Sequence, residues 1–397
     1  MFALRFTPED EAFRAELRAW LVAHLPSDRA LLPADDAARR EVQRAWQREL
    51  AGGGWVGIQW PRAYGGREAT LGQQIAYTEE MARARAPEIL DAVSVNIVGP
   101  TLIRFGTTAQ KARWLPPIRP ADEVWCLGFS EPNAGSDLAS LRCRALRDGD
   151  HWVVSGQKVW SSKAHFADWC LLLVRTDVEA PKHKGISCLV VDMRSRGLTW
   201  RPLVQLSGRS EFSELFLDEV RVPAENVLGP VNGGWPLIRA ALAHERGTLW
   251  AFDFKTRLQN GSRALADLYR GSAAGRGADV ATFRQQVAQA HIEAEVFAAH
   301  TLRILPRLHG GEVPPEAALQ KLFGSEIQQR TLEVAMALAG PYAQLARDPR
   351  ALEGDWAEAY LYSRSVTISS GTSEVLRTLL AQQALGLPRS EASSRAG

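Results

Sequence analysis

Residues 125–137 read WCLGFSEPNAGSD, and this stretch says the most about the fold when it is taken together with SGQKVWSSKA at residues 155–164. The first stretch predicts a short apolar strand that runs into Ser130 and then into a loop containing Gly135 and Ser136. A loop of this composition lets backbone N–H groups approach a phosphate closely. The spacing therefore predicts a strand followed by a diphosphate-binding loop.

The second stretch predicts another strand, which ends in Trp160 and a pair of serines. Hydroxyl donors for nitrogen and oxygen atoms, an indole to cover one face and a permissive loop are what an isoalloxazine ring and its diphosphate need. The two stretches together therefore predict a flavin site, although each of them alone is a weak signal.

With four further stretches, these motifs make the chain resemble the acyl-CoA dehydrogenase family over almost its whole length. In chain order the four are LAGGGWVGIQWPRAYGG (50–66), FGTTAQKARWLP (105–116), LDEVRVPAENVLGPVNGGW (217–235) and SSGTSEVLR (369–377).

The resemblance implies an α+β fold with three domains: an N-terminal α-helical domain (1–121), a middle antiparallel β domain (122–232) and a C-terminal four-helix bundle (233–397). The pattern of the chain agrees with this order. Helical spacing and capping boxes fill the first third, short β-rich runs separated by turns follow, and long alanine-rich helical segments come last.

The resemblance also implies FAD as the cofactor and assigns nine residues to its site. They are Leu127, Phe129 and Ser130 along the flavin, Gly135 and Ser136 at its diphosphate, Trp160 and Ser162 at the reactive edge of the ring, and Thr372 and Glu374 at the adenosine end. Two alternatives stay open. Trp160 is one of thirteen tryptophans and could be a core residue, and an ordinary helix N-cap would explain Thr372.

The catalytic base is the point at which the chain departs from the commonest family pattern. Many members place a glutamate immediately before a Gly-Thr pair near the C-terminus, and Ser370 stands at that position here. Serine is no base by itself at neutral pH, but its backbone N–H can still bind the thioester oxygen. Another subset of the family carries the glutamate on an earlier helix, directly before an arginine, and this chain has Glu245 followed by Arg246.

Helical spacing supports Glu245 independently of the resemblance. The glutamate recurs at three- or four-residue intervals with apolar side chains, in the order Ile238, Ala241, Leu242, Glu245, Leu249 and Phe252. Desolvation among such neighbours raises the pKa of a carboxyl group toward the range useful for a base. A structural ion pair is the alternative for Glu245. For Arg246 the alternatives are ordering the loop around Ser370 and a purely structural role.

Composition and charge make several kinds of partner and site unexpected. The 397 residues carry a formal net charge of only +2, without a block of like charges, so neither nucleic acid nor a membrane surface is an expected partner. Acids interrupt the N-terminal apolar stretch and no run reaches the length of a membrane span, so we expect a cytoplasmic protein. The four cysteines fall in apolar strand-like stretches without metal-ligand spacing, which favours buried thiols.

The expected partners are an acyl-CoA substrate, an electron-transfer flavoprotein and further subunits. Family homotetramers usually carry an arginine near a Phe-Gly pair after the first bundle helix. That pair is missing from LYRGSAAGRGADVATF, and the later Gly-Gly-x-Gly element reads AGPY. Both a homo-oligomer (dimer or tetramer) and a heterotetramer with a related subunit therefore stay open. A non-catalytic half-site subunit and a flavin monooxygenase or oxidase on the same fold are the alternative functions.

Overall fold

The computed structural model describes residues 6–26, 35–245, 248–271, 280–310, 314–345 and 356–388. Contacts divide the chain into two compact units, one over residues 6–246 and the other formed mainly by residues 247–397.

The first unit begins with α-helices, and their starts follow the sequence signals. Capping boxes pair Thr7 with Asp10, Thr70 with Gln73, and Thr107 with Gln110, as the last two patterns predict. The helices are α1 (Pro8–His24), α2 (Asp36–Gly52), α3 (Leu71–Arg83), α4 (Gly99–Phe105) and α5 (Thr108–Ile118). A π-helical turn (Ser94–Val98) leads into α4.

A mostly antiparallel sheet follows. Its strands are β1 (Trp125–Gly128), β2 (Arg144–Asp148), β3 (His151–Ser162), β4 (Trp169–Arg175), β5 (Ile186–Asp192), β6 (Leu198–Leu203), β7 (Phe212–Pro223) and β8 (Val227–Leu228). The strand order is β6-β7-β3-β2-β4-β5-β8, and β1 pairs in parallel with β4. Gly149, with φ of 58°, lies in the hairpin between β2 and β3 that the Asp-Gly pair predicts.

The two faces of the sheet bury different cores. On β4, Leu171 and Leu173 pack into a core shared with the N-terminal helices, whereas Cys170, Leu172 and Val174 point into a core inside the β domain. Successive side chains of a strand point to opposite faces, so a strand covered on both sides is apolar throughout. The run WCLLLVR has this composition. All four cysteines are buried in these cores, as predicted.

Helix α6 (Gly234–Glu245) completes the first unit and packs against the π-helical turn, α4 and β5. The second unit is helical. It contains α7 (Thr248–Gly271), α8 (Val280–His309), α9 (Ala317–Ala339), α10 (Trp356–Val366) and α11 (Ser373–Leu379). The predicted fold class, with helical, β and helical regions in this order, is confirmed, while the exact domain limits stay predictions. No helix among the described residues is long and apolar enough to cross a membrane.

Candidate functional site

A backbone hydrogen bond joins the two motifs from which the flavin site was predicted. The Val159 N–H donates to the Ser130 carbonyl at 2.9 Å, where the chain leaves β1 and passes beside β3. Ser130 and the end of β3 are therefore neighbours in space although 29 positions separate the bonded residues. Ser162 is half-buried at the end of the same strand.

Trp160 has an unusual conformation for a strand residue. Its φ of 61° lies in the left-handed region, at an irregularity where the pairing of β3 with β7 shifts between Lys158 and Ser161. The residue is 59% exposed, and its indole makes an edge contact with the Phe212 ring, at 6.1 Å between centroids. Trp160 is therefore not a core tryptophan. A large exposed ring held by a strained backbone is a feature of binding sites.

The other predicted flavin residues of the first unit lie on β1 and the loop that follows it. Leu127 is half-buried, Phe129 is buried, and Gly135 and Ser136 are exposed. A Cβ atom at Gly135 would meet no other atom within 4 Å, so this part of the loop faces open space. An accessible ring platform, nearby hydroxyls and an open loop fit a flavin with its diphosphate.

Sequence analysis did not identify two charged residues that organise this region. The Lys158 ammonium donates to a Glu131 carboxylate oxygen at 2.8 Å, and both side chains are buried. Both residues lie inside the quoted motifs, so the sequence contained the signal. Charged residues are, however, mostly exposed in proteins, and burial was therefore not expected for these two. Beside them lies a pocket of about 410 Å³, with Asn133, Ser140 and Gln157 among its lining residues.

The predicted base, Glu245, belongs to helix α6. Ile238 and Ala241 are fully buried and Leu242 packs at the edge of the same core, so the apolar stripe is present on this helix. Glu245 is the last residue of α6; its side chain lies outside the described residues. Arg246 also lies outside them. The role of both residues remains a prediction.

The Ser370 turn belongs to the second unit. Ser370 and Gly371 both have positive φ, 52° and 100°, and the buried Lys321 ammonium donates to the Gly371 carbonyl at 2.7 Å. Thr372 is the N-cap of α11, since its hydroxyl accepts from the Val375 N–H, as the simpler alternative for this residue predicts. Its place at the adenosine end of a flavin, and that of Glu374, remain predictions.

Three stretches of the chain match the three domains of one enzyme family. Residues 7–120 match the N-terminal domain of acyl-CoA dehydrogenases, residues 126–220 the middle domain and residues 232–385 the C-terminal domain. The acyl-CoA dehydrogenase IpdE1 of Mycobacterium tuberculosis is 37% identical over 389 residues, which are 96% of this chain and 98% of that protein. The chain belongs to the acyl-CoA dehydrogenase family.

Solved structures give the same result. The Tcur3481-Tcur3483 steroid acyl-CoA dehydrogenase superposes with a TM-score of 0.83 at 32% identity, over 98% of this chain and all of that one. The ChsE4-ChsE5 complex of Mycobacterium tuberculosis gives a TM-score of 0.82 at 32% identity, with the same coverage of both chains. This acyl-CoA dehydrogenase is thus an oxidoreductase of a flavoenzyme family whose members bind FAD.

Proposed function

We propose that this acyl-CoA dehydrogenase holds FAD at the Ser130–Trp160 site and desaturates the α,β bond of an acyl-CoA whose acyl group derives from a steroid. The observation that supports the flavin site most strongly is the Ser130–Val159 hydrogen bond, which joins the residue before the exposed Trp160 to the start of the loop that carries Ser136. The steroid acyl group is suggested by the related steroid acyl-CoA dehydrogenase, which is similar over nearly the whole chain.

In this proposal Glu245 removes the α-proton of the thioester. When bound, FAD supplies the acceptor for the hydride that leaves the β carbon. The Ser370 N–H donates to the thioester oxygen and stabilises the negative charge that develops there as the proton leaves. In this proposal the Ser370 side chain has no catalytic role, which is consistent with a base on α6. Electrons then pass to an electron-transfer flavoprotein.

Anaerobic titration with a panel of CoA thioesters tests the reaction and the acyl group together. We expect a polycyclic acyl-CoA to bleach the flavin band at lower concentration than straight-chain or branched thioesters do, with the 2-enoyl thioester as product. Bleaching by straight-chain thioesters alone would contradict the steroid assignment. Consumption of oxygen by the reduced flavin without a desaturated product would favour the monooxygenase or oxidase alternative.

A second candidate function is that of one subunit in a heteromeric enzyme with only some flavin sites. The missing Phe-Gly pair and the AGPY segment favour it, and two similar structures each contain two named chains. We expect the chain made alone to bind flavin weakly. A yellow homo-oligomer with one flavin per chain would contradict this candidate, and gel filtration with and without a co-expressed related subunit measures the assembly.

A further inference from the structure

Lys158 is a charged residue in the interior of the β domain. Its side chain is 0% exposed, two positions before Trp160 on β3. The ammonium donates to the Phe129 carbonyl at 3.1 Å and to the Glu131 carboxylate at 2.8 Å. Burying an ammonium is strongly unfavourable unless an opposite charge and good hydrogen bonds offset the loss of water. Both come from residues that flank Ser130 in sequence.

Glu131 also forms hydrogen bonds at the far end of the loop that contains Ser136. Its carboxylate, on a residue only 8% exposed, also accepts from the Arg142 N–H at 2.7 Å and from the Cys143 N–H at 2.8 Å. One carboxylate is thereby bonded to β3 and to the point where the chain enters β2. The loop between residues 131 and 143, which contains Ser136, is closed at its base by this single group.

A second buried cation fixes the same end of the loop. The Arg175 guanidinium on β4 donates to the carbonyls of Ala139 at 2.6 Å and Leu141 at 3.4 Å. These bonds hold the end of the loop on β4 but do not reach Ser130 or β3. Of these two buried cations, only Lys158 bonds to the residues on both sides of Ser130.

We infer that Glu131 and Lys158 are a positioning pair, which fixes the Ser130 turn against β3 so that the two flavin-binding segments keep one relative placement. The inference rests on the proposed flavin site. The pair contacts backbone groups around the site, and it acts on flavin affinity through Ser130, Ser136 and Trp160. A site held in place before the ligand arrives binds more tightly because less ordering is needed on binding.

The test uses the full chain with Lys158→Met, Glu131→Gln and the double variant. We expect each single variant to weaken FAD binding, measured by flavin fluorescence titration, at least about tenfold. The fall in FAD affinity of the double variant should be smaller than the product of the two single-variant falls. Each single change leaves one buried charge unpaired, and the second change removes that charge. In the variants without flavin, hydrogen exchange should speed up at the Arg142 and Cys143 amides.

Glu80→Gln is the matched control. Glu80 is a buried, ion-paired carboxylate between α1 and α3, so its loss lowers stability without touching the loop. It should leave FAD affinity and loop exchange unchanged. Equal loss of affinity in Glu80→Gln and Glu131→Gln, or unchanged loop exchange in both pair variants, would overturn the inference. Failure of the wild-type chain to bind FAD would count against the proposed flavin site alone, since loop exchange still tests the pair.

Discussion

Trp160 is the residue at which conformation and exposure point most directly to binding. Its ring is mostly exposed and contributes little to the core, yet its backbone adopts a left-handed conformation that costs about 1 kcal/mol or more in a residue other than glycine. The backbone of β3 therefore keeps the ring exposed at a cost in local stability.

Replacing Trp160 with Ala should separate binding from folding. We expect the free energy of unfolding to change by no more than about 0.5 kcal/mol, because an exposed side chain is removed. FAD affinity should fall by about 5- to 150-fold, because one aromatic stacking contact is worth about 1–3 kcal/mol. Thermal denaturation without flavin and a fluorescence titration measure the two quantities.

Trp152, on the same strand, provides the contrast. It is buried in the β-domain core, so Trp152→Ala should lower the free energy of unfolding by about 3–5 kcal/mol. A Trp160→Ala variant that destabilises the chain as much as Trp152→Ala does, with flavin affinity intact, would refute the binding role of Trp160.

At the residue scale, the sequence nominates Ser130, Trp160 and Ser162 because their chemical groups are recognisable in a motif, and their contact with a flavin stays a prediction. It could not predict the Glu131–Lys158 pair. Whether a charged residue is exposed or buried depends on what packs over it, and here the bonds of the pair to Phe129, Arg142 and Cys143 form only in the folded sheet. Periodicity along a single strand contains no such information.

At the element scale, the N-terminus of α5 has a cap that also joins two parts of the first unit. Gln110 accepts from the Thr107 N–H in the capping box, and its amide donates to the Glu225 and Val227 carbonyls at 2.8 and 2.9 Å. The sequence predicts the capping box. The long-range bonds depend on tertiary placement and were not foreseen.

Two variants separate these contributions. Thr107→Ala should lower the free energy of unfolding by about 1 kcal/mol, as loss of an N-cap usually does. Gln110→Ala should lower it further, by about 1–3 kcal/mol, because it also removes two hydrogen bonds to the part-buried carbonyls of Glu225 and Val227. Chemical denaturation checks both values, and a Gln110 variant that is no less stable than the Thr107 variant would show that the long-range bonds contribute nothing.

The strands and helices could be predicted well where they were long and strongly patterned. The runs HWVVSG, WCLLLVR and ISCLVVD lie in β3, β4 and β5. The apolar stripe through Glu245 spans α6 (Gly234–Glu245) and the start of α7 (Thr248–Gly271), and residues 246–247 between them lie outside the described residues.

For the whole molecule, the arginine cluster around Glu80 should make stability depend on pH. Burial raises the pKa of this carboxyl, but hydrogen bonds and charge from Arg18 and Arg83 outweigh it, and the net pKa is lowered. A lowered carboxyl pKa stabilises the fold above the unfolded value near 4.5, and this contribution is lost as the pH falls through the folded pKa.

Glu80→Gln should therefore be less stable at pH 7 and should lose less further stability than the wild type between about pH 4.5 and pH 3. Asp91→Asn should instead remove a contribution to the free energy of unfolding that is largest at low pH. Burial raises the pKa of Asp91, so this group stabilises the fold most at low pH and less as the pH rises above 3.8. Parallel pH profiles of wild type and Glu80→Gln, from thermal denaturation, would exclude the effect.

The central claim for the whole enzyme is that Glu245 on α6, and not the Ser370 turn, provides the base. The most direct measurement is anaerobic reduction of the flavin by a substrate acyl-CoA, followed by bleaching of its absorption band, in the wild type, Glu245→Gln and the control Glu225→Gln. Glu225 is exposed in the turn after β7 and has no place in the site. We predict that Glu245→Gln keeps its yellow colour while bleaching slows by at least about a thousandfold, and that Glu225→Gln behaves as wild type. Bleaching of Glu245→Gln at the wild-type rate would contradict the claim.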